Sequence, residues 1–204
     1  VNQEVVLDSQ CAFAPTGSGM RIRYPFWVSI LPNGLSKNNP AMTRLQKVIL
    51  PWTQTLDAAS SKPASVEVMP LAWSSPNSLV RWGASINPNP EAPTQDQSAH
   101  GTTHTVIAAL TGTFPSCFSR GTSYPLDTGT TIPATARTQE SERMYVSPPT
   151  QIIVVGNSLW LQEDFLMTTM SSPWDQNNNA AFLLNSTEWL GLGKGLAEIR
   201  SRQP

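Results

Sequence analysis

Charge is what this chain has least of. Of its 204 residues, 13 are Lys or Arg and 14 are Asp or Glu, so charged side chains make up 13%, about half the usual share. The formal net charge is −1. The basic residues are scattered and never adjacent, which excludes a basic nucleic-acid-binding domain. Long hydrophobic runs are missing as well. The longest purely apolar stretches, such as residues 106–110, fall far short of the roughly 20 residues a membrane-crossing helix needs. The N-terminus, Val1-Asn2-Gln3-Glu4, has neither the basic start nor the apolar core of a signal peptide. It also lacks an initiator Met, which reads as processing or trimming, or as release from a longer polyprotein. There are two cysteines, Cys11 and Cys117. They read as buried, reduced thiols rather than a disulfide, and two cannot complete a four-ligand zinc site.

What fills the space is apolar and turn-forming. Hydrophobic residues reach 39%, seven are Trp, and there are 18 Pro, so the low charge does not mean disorder. Ser, Thr, Asn and Pro supply turns and polar strand faces. The composition is that of a β-rich globular unit, read as one domain over residues 1–204.

From Met20 to Ile30 every even position is apolar: Met20, Ile22, Tyr24, Phe26, Val28 and Ile30. This period of two predicts a half-buried strand, with Pro25 marking an edge position or an interruption. Asn39-Pro40 reads as a helix N-cap followed by Pro in the first turn. Met42, Leu45, Val48 and Ile49 follow at helical spacing until Pro51, predicting a short helix. Strands are then expected over residues 64–72, 78–86, 103–113 and 151–161. Residues 87–97 and 119–139 read as surface loops. Residues 180–189 and 195–202 read as the last two strands, joined by a turn at 190–194. The fold class that follows is all-β, a single jelly-roll sandwich of about eight strands with one short helix and long loops.

No chemistry stands out. On a strand His100 and His104 would lie ~13 Å apart, too far to ligate one ion, and no third ligand flanks them. No Gly-x-Ser-x-Gly elbow is present. Gly191-Leu192-Gly193-Lys194-Gly195 fails as a phosphate loop because no Ser or Thr follows Lys194; a hairpin turn accounts for it better. Asn185-Ser186-Thr187 is a formal glycosylation sequon. The chain is therefore read as a non-enzyme, with no catalytic residue, no metal and no cofactor. Aromatic residues in a low-charge chain fit interface cores, and Trp52, Trp82 and Trp174 are the interface candidates. Lys194, Arg200 and Arg202 gather near the C-terminus as possible weak RNA contacts.

Several segments carry a resemblance. These are Asn39-Pro40-Ala41-Met42-Thr43-Arg44-Leu45, then Trp52, the strand around Val66 and Val68, and Trp82 followed by Asn87-Pro88. Ser172-Pro173-Trp174-Asp175-Gln176-Asn177, about thirty residues before the end, completes the set. In this order they resemble the small coat proteins of picorna-like plant viruses, the comovirus and fabavirus group and their relatives. Residues 95–139 have no counterpart. The resemblance implies a jelly-roll capsid subunit cut from a polyprotein in the host cytoplasm. It would assemble with other coat subunits into an icosahedral, RNA-containing virion, with no membrane partner. The alternative is a β-sandwich binding module of a bacterial surface, adhesin or phage tail assembly. Under either reading Trp174, held between Pro173 and the turn residues Asp175-Gln176-Asn177, is expected to be buried in the core or against a partner.

Overall fold

A computed structural model describes residues 4–16, 18–59, 61–82, 101–116, 145–170 and 176–192. Among them lie eight strands: β1 (Glu4–Asp8), β2 (Cys11–Pro15), β3 (Arg21–Ile30), β4 (Val48–Pro51), β5 (Val66–Trp73), β6 (Ser78–Trp82), β7 (Thr105–Gly112) and β8 (Thr150–Val155). Two α-helices follow, α1 (Glu163–Met170) and α2 (Asn179–Leu192). The strands form three antiparallel sheets, ordered β1-β6, β2-β3-β4 and β5-β7-β8. The all-β sandwich expected from the sequence is the class that forms.

The β2-β3-β4 sheet contributes to both apolar cores. Val28, Ile30, Val48 and Leu50 join the larger core with Val6, Leu71, Val106 and Ile107 from the other two sheets. Trp27 and Ile49 join a second core with Leu7, Ala12, Ala14, Tyr24 and Phe26. That explains a departure from the sequence pattern. The even positions of β3 are apolar, yet the strand is buried continuously from Tyr24 to Ile30, because apolar layers cover both of its faces. Pro25 behaves as an interruption. The β2–β3 register jumps between Cys11↔Val28 and Phe13↔Arg23, so the stretch around Pro25 passes without a β2 partner and loses no ladder bond.

The helix expected after Asn39-Pro40 does not extend. Asn39 does cap, its Oδ1 accepting from Ala41 N at 2.9 Å, but the turn is a 3-10 turn confined to Pro40–Met42. Arg44, at φ 60°, leaves the right-handed region. Val48 and Ile49, β-branched, then pair with Ile30 and Ser29 in β4.

The opposite correction applies near the C-terminus. Residues 180–189, expected as a strand, lie within α2, and Gly191 and Leu192 form its last turn rather than a hairpin. The inward positions are Asn179, Phe182, Ser186 and Trp189, spaced by three and four residues as a helix requires. Two of those four are polar while Leu183, Leu184 and Leu190 face outward, so the apolar pattern hides the period. Ala and Leu are strong helix formers. Residues 195–202 lie outside the described residues.

Asparagines fix α2 to the sheet. Asn179 is fully buried. Its Oδ1 accepts from Ile49 N at 2.9 Å, and its Nδ2 donates to Ile49 O at 2.8 Å and to Trp160 O at 3.3 Å. Asn178 Oδ1 accepts from Gln46 N at 2.7 Å and Lys47 N at 3.1 Å. Asn185 Nδ2 donates to Ala41 O and Thr43 O, so the sequon asparagine is spent on packing. β4 is the outer strand of its sheet, and the Asn179 amide satisfies Ile49 backbone groups that would otherwise be buried unpaired, while Asn178 and Asn185 tie down the chain that leads into β4. Phe182 and Trp189 can then enter the larger core.

Asn179→Leu keeps most of the volume and removes all three bonds. Each stranded buried group costs about 1–3 kcal/mol, so stranding Ile49 N and Ile49 O alone is expected to cost about 2–6 kcal/mol. Urea unfolding reads it as a lower midpoint at unchanged slope; a midpoint equal to the parent's would remove the clamp from this account.

Candidate functional site

The residues singled out from the sequence do not converge on one place. Trp174, Lys194, Arg200 and Arg202 lie outside the described residues, as do His100 and Cys117. Cys11 is half-buried in β2. Trp82, 67% exposed, ends β6 opposite Glu4. Trp52 is half-buried and turned inward against the second core.

Trp52 sits at φ 47°, a left-handed conformation that a bulky residue rarely adopts. Its N–H donates to Phe26 O at 2.7 Å, and Asn157 Nδ2 donates to its carbonyl at 3.4 Å. The indole packs edge-on against Tyr24 and Trp27 at centroid distances of 6.1 and 6.3 Å, and Trp27 meets Phe165 of α1 at 5.0 Å. Such tilted arrangements add to simple area burial. Trp52 Nε1 donates to the Tyr24 hydroxyl at 3.2 Å. Burial raises the Tyr24 pKa above its ordinary value near 10, and the Trp52 hydrogen bond, which favours the phenolate, works against it.

A second constellation is polar. Asp8 is fully buried at the end of β1. Its Oδ1 accepts from Gln10 N at 2.8 Å and Ser75 Oγ at 2.5 Å, and its Oδ2 from Ser75 N at 2.7 Å. Alongside it, the Ser74 and Ser78 hydroxyls are 2.6 Å apart; Ser78 donates to Thr102 O, and Ser74 Oγ accepts from His104 N. This network underlies a cleft of about 300 Å³ bordered by Gln10, Asn33, Trp73, Ser75 and Thr103. Residue by residue these are turn formers, and nothing in the sequence joins them. The fold does so by pairing β1 with β6 and running residues 101–104 past the β5–β6 turn. His104 enters through its backbone. Among the described residues no group of three His, Cys, Asp or Glu could hold a metal ion, and no helix is long and apolar enough to cross a membrane.

The third feature is the outer face of β5-β7-β8. Ile153 and Val155 pack on the larger core, so alternation turns Ile152 and Val154 outward, at 39% and 37% exposed. The register continues those rungs across the sheet as Ile152↔Leu110↔Val68 and Val154↔Ala108↔Pro70. A solvated sheet face ordinarily carries polar residues at such positions. Here both rungs are apolar, which is what an interaction surface looks like.

Comparison with known proteins supplies the context. A family model described as an ABC-type uncharacterized transport system matches residues 1–186. The chain belongs to that family. No curated protein and no solved structure matches it. The transport-system assignment overturns the plant-virus coat reading, and with it the capsid function, the polyprotein origin, the coat-subunit and RNA partners, and the virion location. The structure explains how the resemblance misled. Its final segment was to lead into two closing strands, and α2 occupies the first of them. The binding-module alternative lies nearer to a transport-system family.

Trp52→Phe removes the hydrogen bond that lowers the Tyr24 pKa while keeping an aromatic ring. The Tyr24 phenol should then titrate at still higher pH, as read by tyrosine carbon NMR shifts against pH. Because the folded value is raised, this group's contribution to stability is complete below pH 10 and is lost as pH rises through the folded pKa. An unchanged titration in the variant would contradict the pairing.

Proposed function

We propose that the chain is an accessory module of an ABC-type transport system that acts by contact and carries out no reaction. Family membership over residues 1–186 supplies the system. The observation that carries the mode of action is the pair of apolar rungs on the outer face of β5-β7-β8, with the exposed Ile152 and Val154 at their β8 end. The occupant this reading commits to is a protein component of the same transport system. An uncharged face of β-branched and small residues gains from burial against a complementary apolar surface. It offers neither the basic character that attracts phosphates nor a nucleophile. No cofactor is assigned. Trp82, exposed at the end of β6, remains an anchor candidate of the same kind, since Trp is enriched at the energetic centres of interfaces.

Co-expression with the other components of its transport system tests the reading. The parent chain should co-purify with one of them, and Ile152→Lys with Val154→Lys together should weaken that association at least about tenfold, about 1.4 kcal/mol, at an unchanged melting temperature. A double variant that is retained as well as the parent would sink the proposal.

A further inference from the structure

The cleft above the Asp8 network is built in a way that the contact reading does not use. Its floor is rigid. Both Asp8 oxygens are engaged by Gln10 and Ser75, and Ser75 Oγ also accepts from Asn77 N at 3.1 Å. One wall is the 3-10 turn Pro32–Gly34, pressed against β5. A Cβ on Gly34 would lie 2.7 Å from the Trp73 carbonyl oxygen, so only glycine allows that approach. The groups at the rim are different in kind. Asn33, Trp73 and Thr103 line the cleft, Asn33 and Thr103 as exposed residues, and their side chains make no hydrogen bond among the described residues. None of the lining side chains is charged.

That combination discriminates between ligands. A charged ligand would meet no charged side chain in the lining, and the Asp8 carboxylate beneath already directs its oxygens to Gln10 N, Ser75 N and Ser75 Oγ rather than to the cleft. A purely apolar ligand would strand the amide and hydroxyl groups. A neutral ligand with several hydroxyls satisfies both constraints. The planar Asn33 amide offers two donors and an acceptor, Thr103 can donate or accept, and the Trp73 ring offers an apolar face beside its own N–H. The volume of about 300 Å³ falls at the small end for ligand sites. We propose that this cleft binds a neutral mono- or disaccharide, its C–H face on Trp73 and its hydroxyls on Asn33 and Thr103. The inference goes beyond the docking role of the β5-β7-β8 face and does not depend on it, because the two surfaces share none of the residues argued from.

Indole N–H resonances of the full chain, titrated with a panel of neutral mono- and disaccharides, test it. One resonance, identified as Trp73 by its loss in Trp73→Phe, should shift saturably with at least one sugar. Asn33→Ala, an exposed position whose loss should not disturb folding, should weaken that sugar at least tenfold while the other indole resonances stay in place. The proposal is overturned if no sugar shifts the Trp73 resonance up to the solubility limit. It is equally overturned if Asn33→Ala binds like the parent, or if a nucleoside shifts the resonance and the sugars do not.

Discussion

Backbone groups on a sheet edge must find partners, and β4 finds them in asparagine side chains. Ile49 is fully buried on an outer strand, where an unpaired N–H and C=O would each be costly. Asn179 presents a carboxamide that accepts from one and donates to the other, the pattern a neighbouring strand would provide. A side chain thereby ends the sheet, and a helix takes the position where a further strand could have added. Placement of Phe182 and Trp189, and so closure of the larger core, follows from that substitution.

A second tie acts between the layers. The segment after Trp52 runs across the sandwich: Thr53 O accepts from Val6 N, Gln54 N donates to Gly156 O, and Leu56 N donates to Thr105 O. Gly156 has to be glycine there, because a Cβ would run into the Gln54 carbonyl. The left-handed turn at Trp52 redirects the chain from β4 into this strap, and the strain is offset by the aromatic cluster that holds the indole. With the layers tied in this way, the outer face of β5-β7-β8 and the cleft beside Asp8 are surfaces of a rigid frame. Rigid frames suit binding, since little ordering remains to be done when a partner arrives.

How much of this was legible depended on whether the signal was local. Alternation located β3 over Met20–Ile30 and β5 and β6 around Val66–Val68 and Val80–Trp82, and the apolar runs located β7 and β8, although β8 ends at Val155 and residues 159–161 form a 3-10 turn. Asn39 was recognisable as a cap, but its helix was stopped by the left-handed Arg44 and by β pairing with residues earlier in the chain. Residues 180–184 form an unbroken apolar run, which periodicity cannot assign to strand or helix. What decided it was an inward polar position, Asn179, whose meaning depends on a β4 edge some 130 residues away. The cleft was invisible for a similar reason: Asp8, Asn33, Ser75 and Thr103 each read as turn chemistry and gain a joint role only through pairing. The coat-protein resemblance rested on Asn-Pro and Ser-Pro-Trp segments. Such segments recur wherever β proteins turn, so they carried the fold class correctly and the function wrongly.

The clamp can be observed without any mutation. In uniformly labelled protein, scalar coupling across a hydrogen bond reports donor and acceptor together. The account predicts a resolved coupling between the Ile49 amide nitrogen and the side-chain carbonyl carbon of Asn179, alongside the backbone couplings of the β3–β4 ladder. A spectrum showing the ladder couplings but none between Ile49 and Asn179 would mean that α2 is not held by its asparagine, and the closure of the sandwich would need another cause.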